Sequence, residues 1–315
     1  MGFARTGALP LATLDVLSTS VGLRWELKLR PRRPGSPNGA PLLTSTASDV
    51  GKTRPNNEDF ARTFVVVRDG RAYSILAVAD GVGGGPAGEL ASETAVRAVA
   101  ETLQDSAWSD PPSGLAMAFA AANDRVREIT GDGLTATTLV VAAVDEGDGT
   151  ATIANVGDSR AYLVTENGAR QITHDHSLVA AKVDAGLMTA AEARIAPDRN
   201  LLTRAVGSTP NVAVDIFGPI KLRPSDRLVL CTDGVHGLLQ DQEIVDAVGG
   251  VPIGQGALSL VSAALEAGGT DNATAIVAGF KSAPIRSGSD TPWNGRRGRP
   301  FRPRGAQSAR DEVYQ

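Results

Sequence analysis

The sequence predicts an α+β fold in which antiparallel β-sheets pack face to face and are covered by helices. Three observations carry this. Short apolar runs recur between about residues 60 and 280, separated by Gly-containing turns. Two Ala-rich stretches, near 87–105 and 113–130, space apolar residues three and four apart, as helices do. The strands come in blocks with helices grouped between them, which favours packed sheets in one domain over strict β-α alternation.

Taken in order, Phe60–Val67 and Ile75–Ala79 flank Asp69-Gly70 and read as a hairpin. The two Ala-rich helices follow. Thr137–Val144, Ala151–Val156, Ala161–Val164 and Arg170–Thr173 are strands, with Asn167-Gly168 among their turns. Helices near 177–186 and 189–195 come next, then strands near 211–217 and 227–232. Helices near 241–248 and 254–267 lead to a last strand, 273–280. No internal repeat is visible.

The chain has 315 residues, 42% hydrophobic and 21% charged, enough to bury a core without disulfides. Aromatics make up only 4%, so the interior is expected to be small aliphatic side chains in close contact. The single cysteine, Cys231, sits in the apolar run Leu228–Thr232 and has no basic neighbour in sequence. It reads as a buried strand residue rather than a nucleophile. No apolar stretch reaches the ~18 residues that span a bilayer. Although Met1-Gly2 with Thr6 matches a short myristoylation pattern, the expectation is a cytoplasmic monomer with no membrane insertion.

The net charge of −4 hides a segregation. Residues 1–43 hold six Lys/Arg against two acids, and residues 281–315 hold eight against three, leaving −13 on the middle. The ends are also rich in Pro and Gly and read as basic disordered tails, 1–43 and 281–315, around a domain of 44–280. Nucleic-acid binding by those tails would rest on charge alone.

Asp-Gly occurs five times, and its ordinary meaning is a turn. Asp80 and Asp233 differ, because each follows an apolar run and would lie at the end of a buried strand. An unpaired charge there is costly; a divalent cation, a hydrogen-bonding loop or an arginine would relieve it. Glu58-Asp59 precedes the first strand of the hairpin and Asp271 the last strand. If these strand ends converge they form a set of hard oxygen ligands that suits Mg²⁺ or Mn²⁺ better than zinc. Two such metals can activate a water for attack on a phosphoryl group. Arg54 could then fork the other phosphate oxygens, or be a surface charge. His174 and His176 form a His-x-His pair, better read as part of a helix start capped by Ser177 than as metal ligands.

In order along the chain stand Ser48-Asp49-Val50-Gly51 with Arg54 and Asn57-Glu58-Asp59; Ala79-Asp80-Gly81-Val82-Gly83-Gly84; Asn155-Val156-Gly157-Asp158-Ser159-Arg160; Asp175-His176-Ser177; Cys231-Thr232-Asp233-Gly234; and Thr270-Asp271-Asn272. Each is weak alone, but in this order, from Ser48 to about Val277, they resemble the type 2C family of metal-dependent serine/threonine protein phosphatases. The resemblance implies a four-layer αββα sandwich with a binuclear Mg²⁺ or Mn²⁺ centre at one end. It implies that Asp80 bridges both metals, that Gly81 offers its carbonyl, and that Asp233 and Asp271 bind one metal. Glu58 and Asp59 match an acidic pair holding metal directly or through water, Asp158 a weaker third site, and Arg54 the phosphate-binding arginine. Implied partners are phosphorylated proteins.

Two positions depart from the family pattern. A histidine often follows Asp-Gly-x-Gly-Gly as a candidate general acid, and here it is Gly85. Losing such an acid costs ~10²–10⁴ in rate unless water protonates the leaving oxygen. The segment Ala196-Pro197 replaces a frequent His-Pro. The rival expectations are a phosphatase for a narrow regulatory target, and a binding module with little chemistry that Gly85 would favour.

Overall fold

The computed structural model describes residues 13–14, 24–28, 41–83, 86–131 and 135–280. All belong to one unit, Met1–Ser282. Most of the segments read as tails, and Gly85, lie outside the described residues. The strands are β1 (Thr13–Leu14), β2 (Arg24–Lys28), β3 (Leu42–Asp49), β4 (Asp59–Arg68) and β5 (Arg71–Val82). After helices α1 (Pro86–Asp105) and α2 (Pro111–Thr130) come β6 (Ala136–Thr137), β7 (Leu139–Asp145), β8 (Thr150–Val156), β9 (Arg160–Thr165) and β10 (Gly168–Gln171). Helices α3 (Leu178–Asp184) and α4 (Ala190–Ile195) precede β11 (Asp215–Lys221) and β12 (Arg227–Cys231). Then follow α5 (Asp233–His236), α6 (Asp241–Gly249), α7 (Ile253–Glu266) and β13 (Ala273–Phe280).

Two antiparallel sheets form. One runs β1-β2-β3-β13-β12-β9-β10; the other runs β11-β8-β7-β5-β4, with β6 beside β5. The hairpin turn needs two residues with positive φ, and Asp69 (49°) with Gly70 (76°) supply them. The helix starts follow capping chemistry. Asp110 accepts from the Ser113 amide ahead of Pro111, Ser177 accepts from the Ala180 amide, and Thr189 with Glu192 closes a capping box.

The period of two along each strand sorts the core into layers. On β5, Ile75 and Ala77 face α1 and α2, where they meet Ala95, Val99 and Phe119. Their neighbours Leu76 and Val78 face the other sheet and meet Leu228, Leu230 and Ile276. On the far side, Val229 and Val277 meet Ile244, Leu260 and Val261 of α6 and α7. Four layers result, αββα, filled largely by Ala, Val, Leu and Ile as the scarcity of aromatics predicts. Gly256 lets α7 close on its sheet, since a Cβ there would lie 2.9 Å from Val277 Cγ1.

Several elements differ from expectation. β3 begins at Leu42, and β2 adds a strand to it from within the segment read as a tail. Composition concealed that strand, although Arg24-Trp25-Glu26-Leu27-Lys28 alternates charged and apolar. The one-turn helix α5 falls where the sequence reads only the end of a buried strand at Asp233. β11 begins at Asp215, not near 211.

The inter-sheet layer should dominate stability. Leu76→Ala, at a fully buried site, should cost about 2–5 kcal/mol in urea unfolding. Val67→Ala, where the side chain is 48% exposed, should change stability by about 0.5 kcal/mol or less.

Candidate metal centre

Strand register builds the first half of the site. In the β4–β5 ladder Asp59 stands directly opposite Asp80, so two carboxylates occupy one cross-strand pair. Like charges opposed in this way repel. Asp59 is buried; its Oδ2 accepts from Thr232 Oγ1 at 2.8 Å, while Oδ1 has no hydrogen-bond partner among the described residues. The Asp80 backbone is pinned by its amide donating to Thr138 Oγ1 (2.9 Å) and by its carbonyl accepting from Thr137 Oγ1 and the Thr138 amide (both 2.8 Å). Gly81 donates to the Glu58 carbonyl at 3.0 Å, and that carbonyl also accepts from Ser92 Oγ of α1 at 2.6 Å. A Cβ on Gly81 would lie 2.1 Å from the Gly88 carbonyl, so the first turn of α1 is pressed onto this corner.

The opposite sheet supplies the second half. Thr232 and Asp233 follow β12, Asp271 precedes β13, and Asp158 precedes β9. Cys231 pairs with both Arg160 and Ala275, so these ends share one edge of the sheet. Asn272 ties the halves together, accepting the Glu58 amide at 2.8 Å and donating to the carbonyls of Val50 and Asn56. A Cβ on Gly234 would lie 1.9 Å from the Asn272 carbonyl, a closeness only glycine allows.

Arg54, Glu58, Asp80, Gly81, Asp158, Asp233 and Asp271 line one cleft of about 150 Å³, with Asp59 buried behind it. A second cavity of about 370 Å³, bordered by α3 and α4, shares the Asp158, Asp233 and Asp271 walls. The structure thus brings together the acids that the sequence scatters. Among the described residues, no three His, Cys, Asp or Glu side chains are already closed into a coordination shell. The acids share a cleft and a field.

That field is severe. Burial first, then Asp59, Asp233, Asp158 and Asp271, push the Asp80 carboxyl well above its ordinary range. Burial also raises Asp59 to about 7, against hydrogen bonds that favour its anion. Burial and then Asp271 raise Asp233 to about 6, and burial and then Asp233 raise Asp158. The cleft's one cationic side chain among the described residues, Arg54, donates to Asp271 Oδ2 at 2.8 Å. Two buried acids, Asp59 and Asp158, and two half-buried ones, Asp80 and Asp233, with one Asp59 oxygen unpaired among the described residues, are a donor set that hard divalent cations fit.

The other singled-out residues fall into place around the cleft. His174 and His176 do not act as a pair, since His174 meets Asp184 at 2.9 Å. The His176 ring is buried, accepting the Gly157 amide at Nδ1 (3.0 Å) and donating from Nε2 to Asp215 (3.2 Å). Cys231 is fully buried and its thiol is pushed up to about 12 by burial, as an inert strand residue should be. Arg160 makes a bidentate pair with Asp175 (2.9 and 2.6 Å) and donates to Tyr162 Oη. Sequence reasoning missed Thr137, Thr138 and Gly88 and quoted Thr232 and Asn272 only as motif members with no role, yet all five orient the acids. Their hydroxyls, amide and absent Cβ act at single points and leave no periodic signal. The adjacency of Thr232 to Asp233 and of Asn272 to Asp271 was the available clue.

Comparison with known proteins agrees with this fold. Residues 50–252 match the family model described as protein phosphatase 2C. The serine/threonine protein phosphatase PstP of Mycobacterium tuberculosis is 34% identical over 244 residues, 75% of this chain and 45% of that protein's length. Protein phosphatase PhpP of Streptococcus pneumoniae is 35% identical over 238 residues, 73% of this chain and 94% of its own. The chain therefore spans less than half of the mycobacterial relative and nearly all of the streptococcal one. A crystal structure of the PstP catalytic domain in complex with two manganese ions superposes with a TM-score of 0.65 at 30% identity, covering 76% of this chain and 98% of that one.

The raised acids make stability depend on pH in a defined direction. Each is protonated when folded and ionised when unfolded, between its unfolded value of ~3.9 and its folded value. The native state therefore binds more protons there, and metal-free stability should fall as pH rises from about 4 through about 7. Asp175, which Arg160 holds low against the opposing effect of burial, acts below that window. Melting EDTA-treated protein at about pH 5 and about pH 7.5 should show the loss, saturating Mn²⁺ should reverse it, and Asp59→Asn should reduce it while Asp80, Asp158 and Asp233 still titrate. A flat profile for the unmodified protein would mean the acids are not strained.

Proposed function

Because this chain belongs to the protein phosphatase 2C family, we propose that it hydrolyses phosphoserine and phosphothreonine on other proteins, using two divalent cations, Mg²⁺ or Mn²⁺. The observation that carries the reading is the single cleft that gathers Asp80, Asp158, Asp233 and Asp271 around Arg54, with Asp59 buried behind. When bound, the cations would neutralise these acids, lower the pKa of water and draw charge from the phosphoryl oxygens. Asp80, Asp233 and Asp271 would hold them, with the Gly81 carbonyl, while Glu58 and Asp59 hold them directly or through water. Asp158 would contribute to a weaker third site.

The chain's own groups do the rest. Arg54 presents a planar fork at the cleft mouth and binds two phosphoryl oxygens once it lets go of Asp271. The Thr137, Thr138 and Thr232 hydroxyls hold the acids in place, so little reorganisation is left for the reaction. Gly85 offers no side-chain proton, so the leaving alkoxide takes its proton from water. Relatives of this chain are named phosphatases, and nothing among them supports the binding-module alternative. No helix among the described residues is long and apolar enough to cross a membrane. We read the protein as a cytoplasmic monomer acting on phosphoproteins.

Phosphate release from a phosphothreonine peptide and from p-nitrophenyl phosphate should require Mn²⁺ or Mg²⁺ and stop in EDTA. Asp233→Asn should lower kcat/KM about 10²-fold or more, roughly 2.7 kcal/mol of transition-state stabilisation. Arg54→Ala should act mainly through KM, about 10-fold. Failure to turn over either substrate while Mn²⁺ binds would sink the reading. Turnover of the aryl phosphate alone would trace the deficit to the missing acid at Gly85.

A further inference from the structure

His236 has no part in the chemistry above, yet it is buried and its ring is committed. Its Nε2 lies 3.0 Å from the Asp158 carbonyl, 78 residues away in sequence. A carbonyl oxygen only accepts, so Nε2 carries the proton and donates it. The partner is main chain, so the bond fixes where the backbone of Asp158 runs. His236 is the last residue of α5 and Asp233 is the first. That single turn is closed by the Gly237 amide donating to the Asp233 carbonyl at 2.7 Å. Asp233 and the ring that grips Asp158 are therefore carried on one rigid turn.

Asp158 lies where the chain crosses from the sheet holding β8 to the sheet holding β9. The crossing is gripped from the other side as well. The Gly157 amide donates to His176 Nδ1 at 3.0 Å, and its carbonyl accepts from the His176 amide and Asn155 Nδ2, both at 3.1 Å. Gly157 has φ of 106° and would bring a Cβ to 2.7 Å from Thr138, so the turn has little room to move. His236 is the group that references it to Asp233.

We propose that His236 is a positioning residue: its hydrogen bond to the Asp158 carbonyl sets the separation of the Asp158 and Asp233 carboxylates, and thereby the affinity of the cation that Asp158 helps to hold. The proposal rests on reading Asp158 as a ligand. It predicts an effect confined to the weakest metal-binding step, because the backbones of Asp59 and Asp80 are held by strand pairing, and that of Asp80 also by Thr137 and Thr138, instead.

The test is Mn²⁺ titration calorimetry on the metal-free full chain, with urea unfolding in EDTA beside it. Asp158→Asn should abolish the weakest Mn²⁺ step. His236→Leu should weaken that step about 10-fold and leave the tighter steps within about twofold. His236→Gln, whose amide nitrogen reaches as far as Nε2, should restore it, whereas the shorter His236→Asn should not. On the Asp158→Asn background, His236→Leu should add no change in Mn²⁺ binding, since the carboxylate it orients is gone. Should His236→Leu fail to fold, the Gln and Asn variants carry the same contrast. A merely structural histidine would weaken every step alike or lower EDTA stability equally in the Gln and Asn variants, and either result overturns the proposal. So does an unchanged weakest step. If Asp158→Asn leaves every Mn²⁺ step intact, the ligand reading itself falls.

Discussion

The structure is organised around a repulsion. Asp59 and Asp80 face each other across a ladder, Asp59 buried and Asp80 half-buried on the cleft wall, and strand register leaves them nowhere else to go. Nothing in the packing of β4 and β5 requires acids there; alanine or valine would suit both positions better. The rest of the site reads as a response. Thr232 gives one oxygen a donor, Thr137 and Thr138 hold the backbone, and Asn272 fastens the loop that carries Glu58 to the strand that follows Asp271. Hydrogen bonds alone leave Asp59 Oδ1 unmet, and more carboxylates crowd in rather than fewer. Such an arrangement suits concentrated positive charge between the acids.

Most of the architecture was legible because it follows from periodicity. The Ala-rich helices, the Asp69-Gly70 hairpin and the final strand announce themselves through spacing that survives any tertiary context. The sorting of Ile75 from Leu76 to opposite faces is the same signal at finer grain. What escaped was local and unrepeated. α5 spans a single turn, too short for a 3.6-residue pattern to show. β2 was hidden by the basic, proline-rich sequence around it, because composition averages over a window wider than the strand.

The site was legible in a different way. The acids were visible as carboxylates at the ends of apolar runs, an anomaly that burial makes expensive. Their convergence was not, since no residue spacing encodes which strand ends share an edge; ordered motifs resembling a known family supplied that. The side chains orienting the acids were invisible for a further reason. A buried threonine looks the same in sequence whether it packs, caps or holds a carboxylate. Arg54 illustrates the remaining gap: its position could be read, but not that it would be found bound to Asp271.

Where Asp80 sits also decides how the site can come apart. From Tyr73 through Ala79 every residue of β5 is buried, and the strand is paired on both sides. Amides in such a strand exchange with solvent through global unfolding, not by local fraying. The acid on the cleft wall therefore has the full cooperativity of the domain behind it. Exposed apolar side chains belong to the rim, where Leu187, Ile195 and Leu201 stand on and around the short helices α3 and α4. The positions of the charges in such a cleft are set by the core, and they stay fixed for as long as the protein remains folded.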